Sequence, residues 1–320
     1  VPWAPSPEAP AGDALVPGNT LTYRVSAWRS WTGDDGNPQT ASVADVGTCR
    51  VVDPGKPALV GAVRVECSGA QAITDFQSVI TAWPVWRQDG CYSRRDGALW
   101  FVPGCEAAPA DWVVFGPAPA APGFESRGVR ALGRSVDARC AKPPVLTEEE
   151  QMGDDGGELG CFTPQHGLVT FETWFGGGMV EEGMAELLGV DGPGAAPAVD
   201  EAAARELLEK WVGAQNSGDF AGYSALFGAD FQGVRRVGHK ETPFDRAGWL
   251  ADRQRMFKKP MKVGVSDVRV WAGADLTVVI FTQDFATGNF ADRGPKQLEL
   301  KSGEGGVAIS REAMLASRVR

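Results

Sequence analysis

The chain has 320 residues, 43% of them hydrophobic and 22% charged, which is the composition of a folded protein long enough for two domains of ordinary size. It contains no apolar run of the roughly 18 residues that a spanning helix needs. The net charge of −10 is unevenly divided: residues 1–198 carry 13 Lys+Arg against 25 Asp+Glu, and residues 199–320 carry 18 against 16. An acidic first part argues against nucleic acid, because neutralising phosphates requires clustered cations.

The chain opens at Val1 with no Met, as a chain that has lost a leader would. Residues 1–18 are rich in Pro and Ala and read as a tether. Residues 19–190 read as a mostly antiparallel β domain. Leu21–Val25 and Ala62–Val65 alternate, and Ala98–Val102 and Trp112–Phe115 are short apolar runs bounded by Gly and Pro, as buried strands are. Leu168–Phe175 is a further strand. Gly176-Gly177-Gly178 reads as a flexible bend, since no Lys-Ser/Thr follows to cradle phosphate, and it leads into an expected short helix, Val180–Leu188. The Gly/Pro/Ala stretch 191–198 reads as a linker.

All six cysteines, Cys49, Cys67, Cys91, Cys105, Cys140 and Cys161, fall in the β-rich part. An even number there, with gaps too long for Cys-x2-Cys zinc spacing, points to disulfides and an oxidising compartment. Sequential pairing (49–67, 91–105, 140–161) is favoured, because each pair brackets Asp/Gly/Pro turn chemistry. Neither metal nor cofactor is expected. Glu148–Glu150 and Asp154–Asp155 lack calcium-loop spacing and read as a solvated loop.

Only two histidines, His166 and His239, are available. Cys161 as a nucleophile beside His166 would need a free thiol, which the expected disulfide removes. His166 sits in a turn-like sequence, Pro164–Gly167, and no nucleophile elbow or zinc helix is present. The cations Arg235, Arg236, Lys240, Arg253, Arg255, Lys258, Lys259 and Lys262 read as a solvated face, with an acidic partner as the alternative.

In residues 199–320 the apolar period is helical first. Asp200 is placed to cap a helix burying Leu207, Leu208, Trp211 and Val212, and Asn216-Ser217-Gly218 ends it. Asp219 caps a second helix with Phe220, Tyr223, Leu226 and Phe227. A third, Phe244–Phe257, carries Trp249, Leu250, Arg253 and Met256. Beyond Pro260 the period becomes two: Val263, Val265, Val268, Val270, then Leu276–Phe285. Three helices followed by a curved antiparallel sheet make an α+β cone.

This order, with Trp249-x3-Arg253-x-Arg255, Phe281-x-Gln283-Asp284-Phe285, Asp292-Arg293-Gly294-x-Lys296-x-Leu298 and Glu312 after the last strand, resembles the nuclear transport factor 2-like (SnoaL-like) superfamily. The likeness is to its small domains in bacterial cell-envelope proteins, including those appended to L,D-transpeptidases, and covers about a third of the chain. Such domains usually show a Trp in the final strand, where this chain has Gly306–Ile309, so that strand is expected to pack differently. The resemblance implies a concave sheet enclosing a pocket, used for catalysis by some members and for binding by others. In an enzyme of the ketosteroid isomerase or SnoaL type, Asp284 would be the base and Tyr223 the donor to an oxyanion. In a binding domain, Trp249, Arg253, Gln283 and Asp284 would carry the site, Trp249 being core with Arg253 bridging from it. Gln283, Asp284, Asp292 and Lys296 would then hold the sheet and its turn together.

Two functions follow. The first is an extracytoplasmic, non-enzymatic binding or scaffold protein of the envelope, working through a protein partner, self-association or cell-wall contact. The second is the small-molecule enzyme.

Overall fold

The computed structural model describes residues 14, 16–33, 36, 38–52, 63–69, 90–95, 98–103, 114–115, 125–141, 156–163, 166–175, 179–237, 240–303 and 305–319. Contacts divide the chain into two compact units, Val1–Gln39 with Asp45–Gly194, and Thr40–Ala44 with Ala195–Arg320.

The N-terminal unit is built on strands β1 (Thr20–Thr32), β2 (Pro38–Val52), β3 (Val63–Gly69), β4 (Gly90–Arg95), β5 (Ala98–Pro103), β6 (Val114–Phe115), β7 (Glu125–Ala131), β8 (Arg134–Ala141), β9 (Gly156–Thr163), β10 (Gly167–Phe175) and β11 (Met179–Asp191). They form one sheet in the order β6-β4-β5-β3-β2-β1-β11-β10-β9-β8-β7. Leu21, Tyr23 and Val25 of β1 share the core with Val169, Phe171, Ala185 and Leu187. Cys49–Cys67 and Cys140–Cys161 are disulfides, each joining residues directly opposite on neighbouring strands, in line with sequential pairing. For the expected pair Cys91–Cys105, Cys105 lies outside the described residues, as do the acidic loop 148–155 and the glycines 176–178.

One expectation is corrected here. Residues 180–188 form strand, not helix, pairing with both β1 and β10. Val180, Met184, Leu187 and Leu188 have helical spacing, but Ala185–Leu188 are all buried, so over that stretch both faces are covered and the alternation that marks a half-exposed strand is lost.

The C-terminal unit contains α1 (Glu201–Ser217), α2 (Phe220–Ala225), β12 (Phe227–Val237), β13 (Lys240–Asp245), α3 (Arg246–Met256), β14 (Lys262–Ala272), β15 (Thr277–Thr287), β16 (Phe290–Gly303), β17 (Gly306–Met314) and β18 (Arg318–Val319). Local chemistry sets the helix ends. Asp200, Asp219 and Asp245 each accept from a backbone N–H of the first turn, and Gly218 closes α1 at φ 74°, a left-handed conformation that glycine adopts without a Cβ clash. The sheet order is β13-β12-β17-β16-β15-β14, with β18 on β16.

Further expectations differ. A hairpin, β12–β13, intervenes before α3, so Phe244 is strand, and β12 runs parallel to β17, making the sheet mixed. Glu312 lies within β17, opposite Leu298, instead of after the strand that holds Gly306–Ile309. The shift of apolar parity from Val263/Val265 to Val268/Val270 is a bulge, with the register slipping between Ser266 and Arg269 around Asp267 at φ 54°. Helices and sheet enclose Leu207, Leu208, Trp211, Tyr223, Phe227, Trp249, Phe281 and Ile309.

Candidate functional site

A charged group lies inside the C-terminal core. α1 turns Trp211 inward on the side of Leu207 and Leu208, α2 contributes Tyr223, and α3 contributes Trp249 and Arg253. The sheet answers with Lys296 of β16 and Glu312 of β17, both in phase with Leu298 on the face toward the helices. Gly233, opposite Glu312 on β12, is required at its place, because a Cβ there would collide with the Trp249 indole.

Glu312 Oε2 accepts from Trp211 Nε1 at 2.9 Å and from the Tyr223 hydroxyl at 3.2 Å. Its Oε1 accepts from Lys296 Nζ at 2.6 Å. The Tyr223 oxygen in turn accepts from Trp249 Nε1 at 3.3 Å. Trp211, Tyr223, Trp249 and Glu312 are all at most 1% exposed. The Arg253 guanidinium lies 3.8 Å from the Trp249 ring centroid and donates to Met256 Sδ, while its Nε is buried with no hydrogen-bond partner. Lys296 Nζ is also 5.0 Å from the Trp211 ring.

Burial pushes the Tyr223 phenol well above its usual value, and the Glu312 charge adds to this. Burial also lowers Lys296, with the Arg253 charge acting in the same sense and Glu312 opposing both. Chemically, the arrangement holds a phenol neutral and pins a carboxylate with three donors. Both carboxylate oxygens are thus occupied by donors of the protein itself.

The residues expected at a site are only partly brought together. Trp249, Arg253 and Tyr223 meet in this cluster. Gln283 is buried on the face of Phe281 and Phe285. Asp284 points to the opposite face, about half exposed and 3.7 Å from Arg293 Nε. Asp292 bonds the Ser317 hydroxyl at 2.8 Å, near the sheet edge where β18 pairs with β16. Sequence reasoning gives Lys296 and Glu312 no joint role. Their signal is parity: each is a charged residue in step with apolar neighbours that fill a core. Among the described residues no group of three or more His, Cys, Asp or Glu could hold a metal.

No family model matches the chain, and no curated protein matches it. Solved structures similar to it include a nuclear transport factor 2-like protein of unknown function from Pseudomonas putida KT2440, at 17% identity and a TM-score of 0.31, spanning 35% of this chain and 83% of that one. Another such protein, from Cytophaga hutchinsonii, matches at 14% identity and a TM-score of 0.33, spanning 37% and 99%. A mutant of the helical cell shape determining protein Pgp2 from Campylobacter jejuni matches at 18% and 0.30, spanning 35% of this chain and 39% of its own. Nuclear transport factor 2-like proteins are thus among the structural neighbours of about a third of the chain.

Proposed function

We propose that this is an extracytoplasmic, non-enzymatic binding or scaffold protein of the bacterial cell envelope, making protein–protein or cell-wall contacts through a cone-shaped C-terminal domain. The observation that carries the reading is the state of Glu312. Glu312, the carboxylate turned toward the helices, is already paired with Lys296 and bonded by Trp211 and Tyr223, and Asp284 lies on the opposite face of the sheet. Two disulfides suit an oxidising compartment, and no described helix is long and apolar enough to cross a membrane.

Sedimentation velocity over a concentration series, with cosedimentation on purified cell-wall sacculi, tests this. The expected result is self-association or wall retention. A chain that stays monomeric and remains in the supernatant overturns it.

A second reading, an enzyme of the ketosteroid isomerase or SnoaL type, is favoured by one observation: Tyr223 accepts from Trp249, and its hydroxyl would donate to a developing oxyanion by turning away from Glu312. Isomerisation of a 3-oxosteroid that is lost in Tyr223→Phe would establish it.

A further inference from the structure

Strands β1, β11 and β10 lie side by side, and their registers place side chains in rows across the sheet. Arg24, Glu186 and Thr170 form one row, Ser26, Met184 and Glu172 the next, and Trp28, Glu182 and Trp174 the third. Residues directly opposite in antiparallel strands project to the same face. The first row is buried: Arg24 pairs with Glu186 at 2.6 Å, and the Thr170 hydroxyl has no hydrogen-bond partner. The face then opens. Met184 is 38% and Trp174 37% exposed, Glu182 is exposed, and Trp28 and Glu172 are half-buried.

We propose that this face is a docking site for a cationic peptide segment of a partner protein, whose lysine or arginine side chain seats over Glu182 between Trp28 and Trp174. Strands two apart are separated by about 10 Å, so a cation over Glu182 has a tryptophan on the neighbouring strand to either side. Glu182 supplies the counter-charge at the centre, Glu172 a second one a row away, and Met184 an adaptable apolar contact between them. The chain's composition is consistent with this, since residues 1–198 carry 13 Lys+Arg against 25 Asp+Glu. A neutral sugar chain would stack on the rings and could donate its hydroxyls to the carboxylates, but it would draw nothing from their charge. This surface belongs to the N-terminal unit and stands or falls apart from the reading of the C-terminal domain.

The test is calorimetric titration of the full chain with an oligolysine peptide at low and at physiological salt. Trp174→Ala is expected to weaken binding by about two- to fivefold, the range of an exposed cation–π contact, with Trp174→Phe retaining part of it. Glu182→Gln, a conservative change at an exposed position, is expected to weaken binding and flatten its salt dependence. An N-acetylglucosamine oligomer is expected not to compete. Three results overturn the proposal. Affinity unchanged by Trp174→Ala would mean that cations merely gather on an acidic surface. Displacement of the peptide by the neutral oligomer would make the face a sugar platform. Self-association abolished by Trp174→Ala would make the occupant a second copy of this chain.

Discussion

In the N-terminal unit Arg24 meets Glu186 at 2.6 Å across the β1–β11 register, and in the C-terminal unit Lys296 meets Glu312 at 2.6 Å between β16 and β17. The surroundings of the two pairs differ. The second oxygen of Glu186 has Arg130 at 3.7 Å and no hydrogen bond, and the Thr22 and Thr170 hydroxyls are buried without partners. The second oxygen of Glu312 takes donors from two helices. Taking two charges out of water costs several kcal/mol each, and their attraction offsets this only when the remaining lone pairs and protons are satisfied. The first pair therefore contributes less than its distance suggests, and that sheet relies on covalent cross-links between neighbouring strands. The second pair is the joint at which α1, α2 and the sheet meet, with α3 held to it through Trp249 and Tyr223.

The largest effect should come from cutting that joint. Glu312→Ala leaves Lys296 buried without its anion and is expected to cost about 3–5 kcal/mol. Trp249→Ala, which removes a ring packed on Gly233, is expected to cost about the same as a large-to-small core change. Both should appear in denaturant melts as loss of the C-terminal transition. Glu186→Ala is expected to cost less, because Arg24 also donates to Met184 Sδ. Equal losses for Glu186→Ala and Glu312→Ala would break the comparison.

Next come the cross-links. Cys49–Cys67 and Cys140–Cys161 close loops of 18 and 21 residues, for which chain entropy gives roughly 3 kcal/mol each. Reduction, or paired Cys→Ser changes, should lower the N-terminal transition and leave the C-terminal one in place, since no cysteine lies beyond Cys161. A matching fall in both transitions would show that the two units do not unfold separately.

The first two helices of the C-terminal unit are readable because their starts are written locally by Asp200 and Asp219, and the close of α1 by Gly218, whereas α3 is capped at Asp245, inside the pattern read from Phe244. The bulge at Asp267 is visible as a change of parity. The strand at 179–191 is not, because its stretch Ala185–Leu188 is covered on both faces and carries no period of two, and four apolar residues fall by chance at helical spacing. The β12–β13 hairpin escapes because Phe227, Phe231, Val234 and Val237 follow no single period along the strand. The Lys296–Glu312 joint pairs residues 16 apart in sequence on neighbouring strands, and their register is set by the fold as a whole.

A smaller effect separates the units by pH. Each buries a tyrosine, Tyr23 donating to Leu168 O at 2.9 Å and Tyr223 donating to Glu312, and burial raises both. An acid whose folded value lies above its unfolded value of about 10 contributes stability in full below that pH and loses it above, at up to about 1.4 kcal/mol per pH unit. The C-terminal unit also holds Lys296, whose value is lowered, so the unfolded chain binds the extra proton and stability there rises with pH up to about 10.4. Melts across alkaline pH should show the N-terminal transition falling once pH passes about 10 and the C-terminal one falling later. Phenolate absorbance should follow unfolding instead of preceding it for both residues.

The smallest expected effect is at Asp284. Its carboxylate is about half exposed and 3.7 Å from Arg293 Nε, also about half exposed, so the pair is screened by water and worth no more than about 1 kcal/mol. It lies opposite Gly264 and Arg293 on the face that Phe281 and Phe285 turn away from. Asp284→Asn keeps the shape and removes the charge, and is expected to change stability by less than about 1 kcal/mol in a denaturant melt. It should also leave wall retention or self-association unaltered. If Asp284 were the base of an isomerase, the same change would abolish turnover of a 3-oxosteroid while leaving the melt alone. That outcome would overturn the non-enzymatic reading in favour of the enzyme, and the comparison of two buried pairs would then describe stability only.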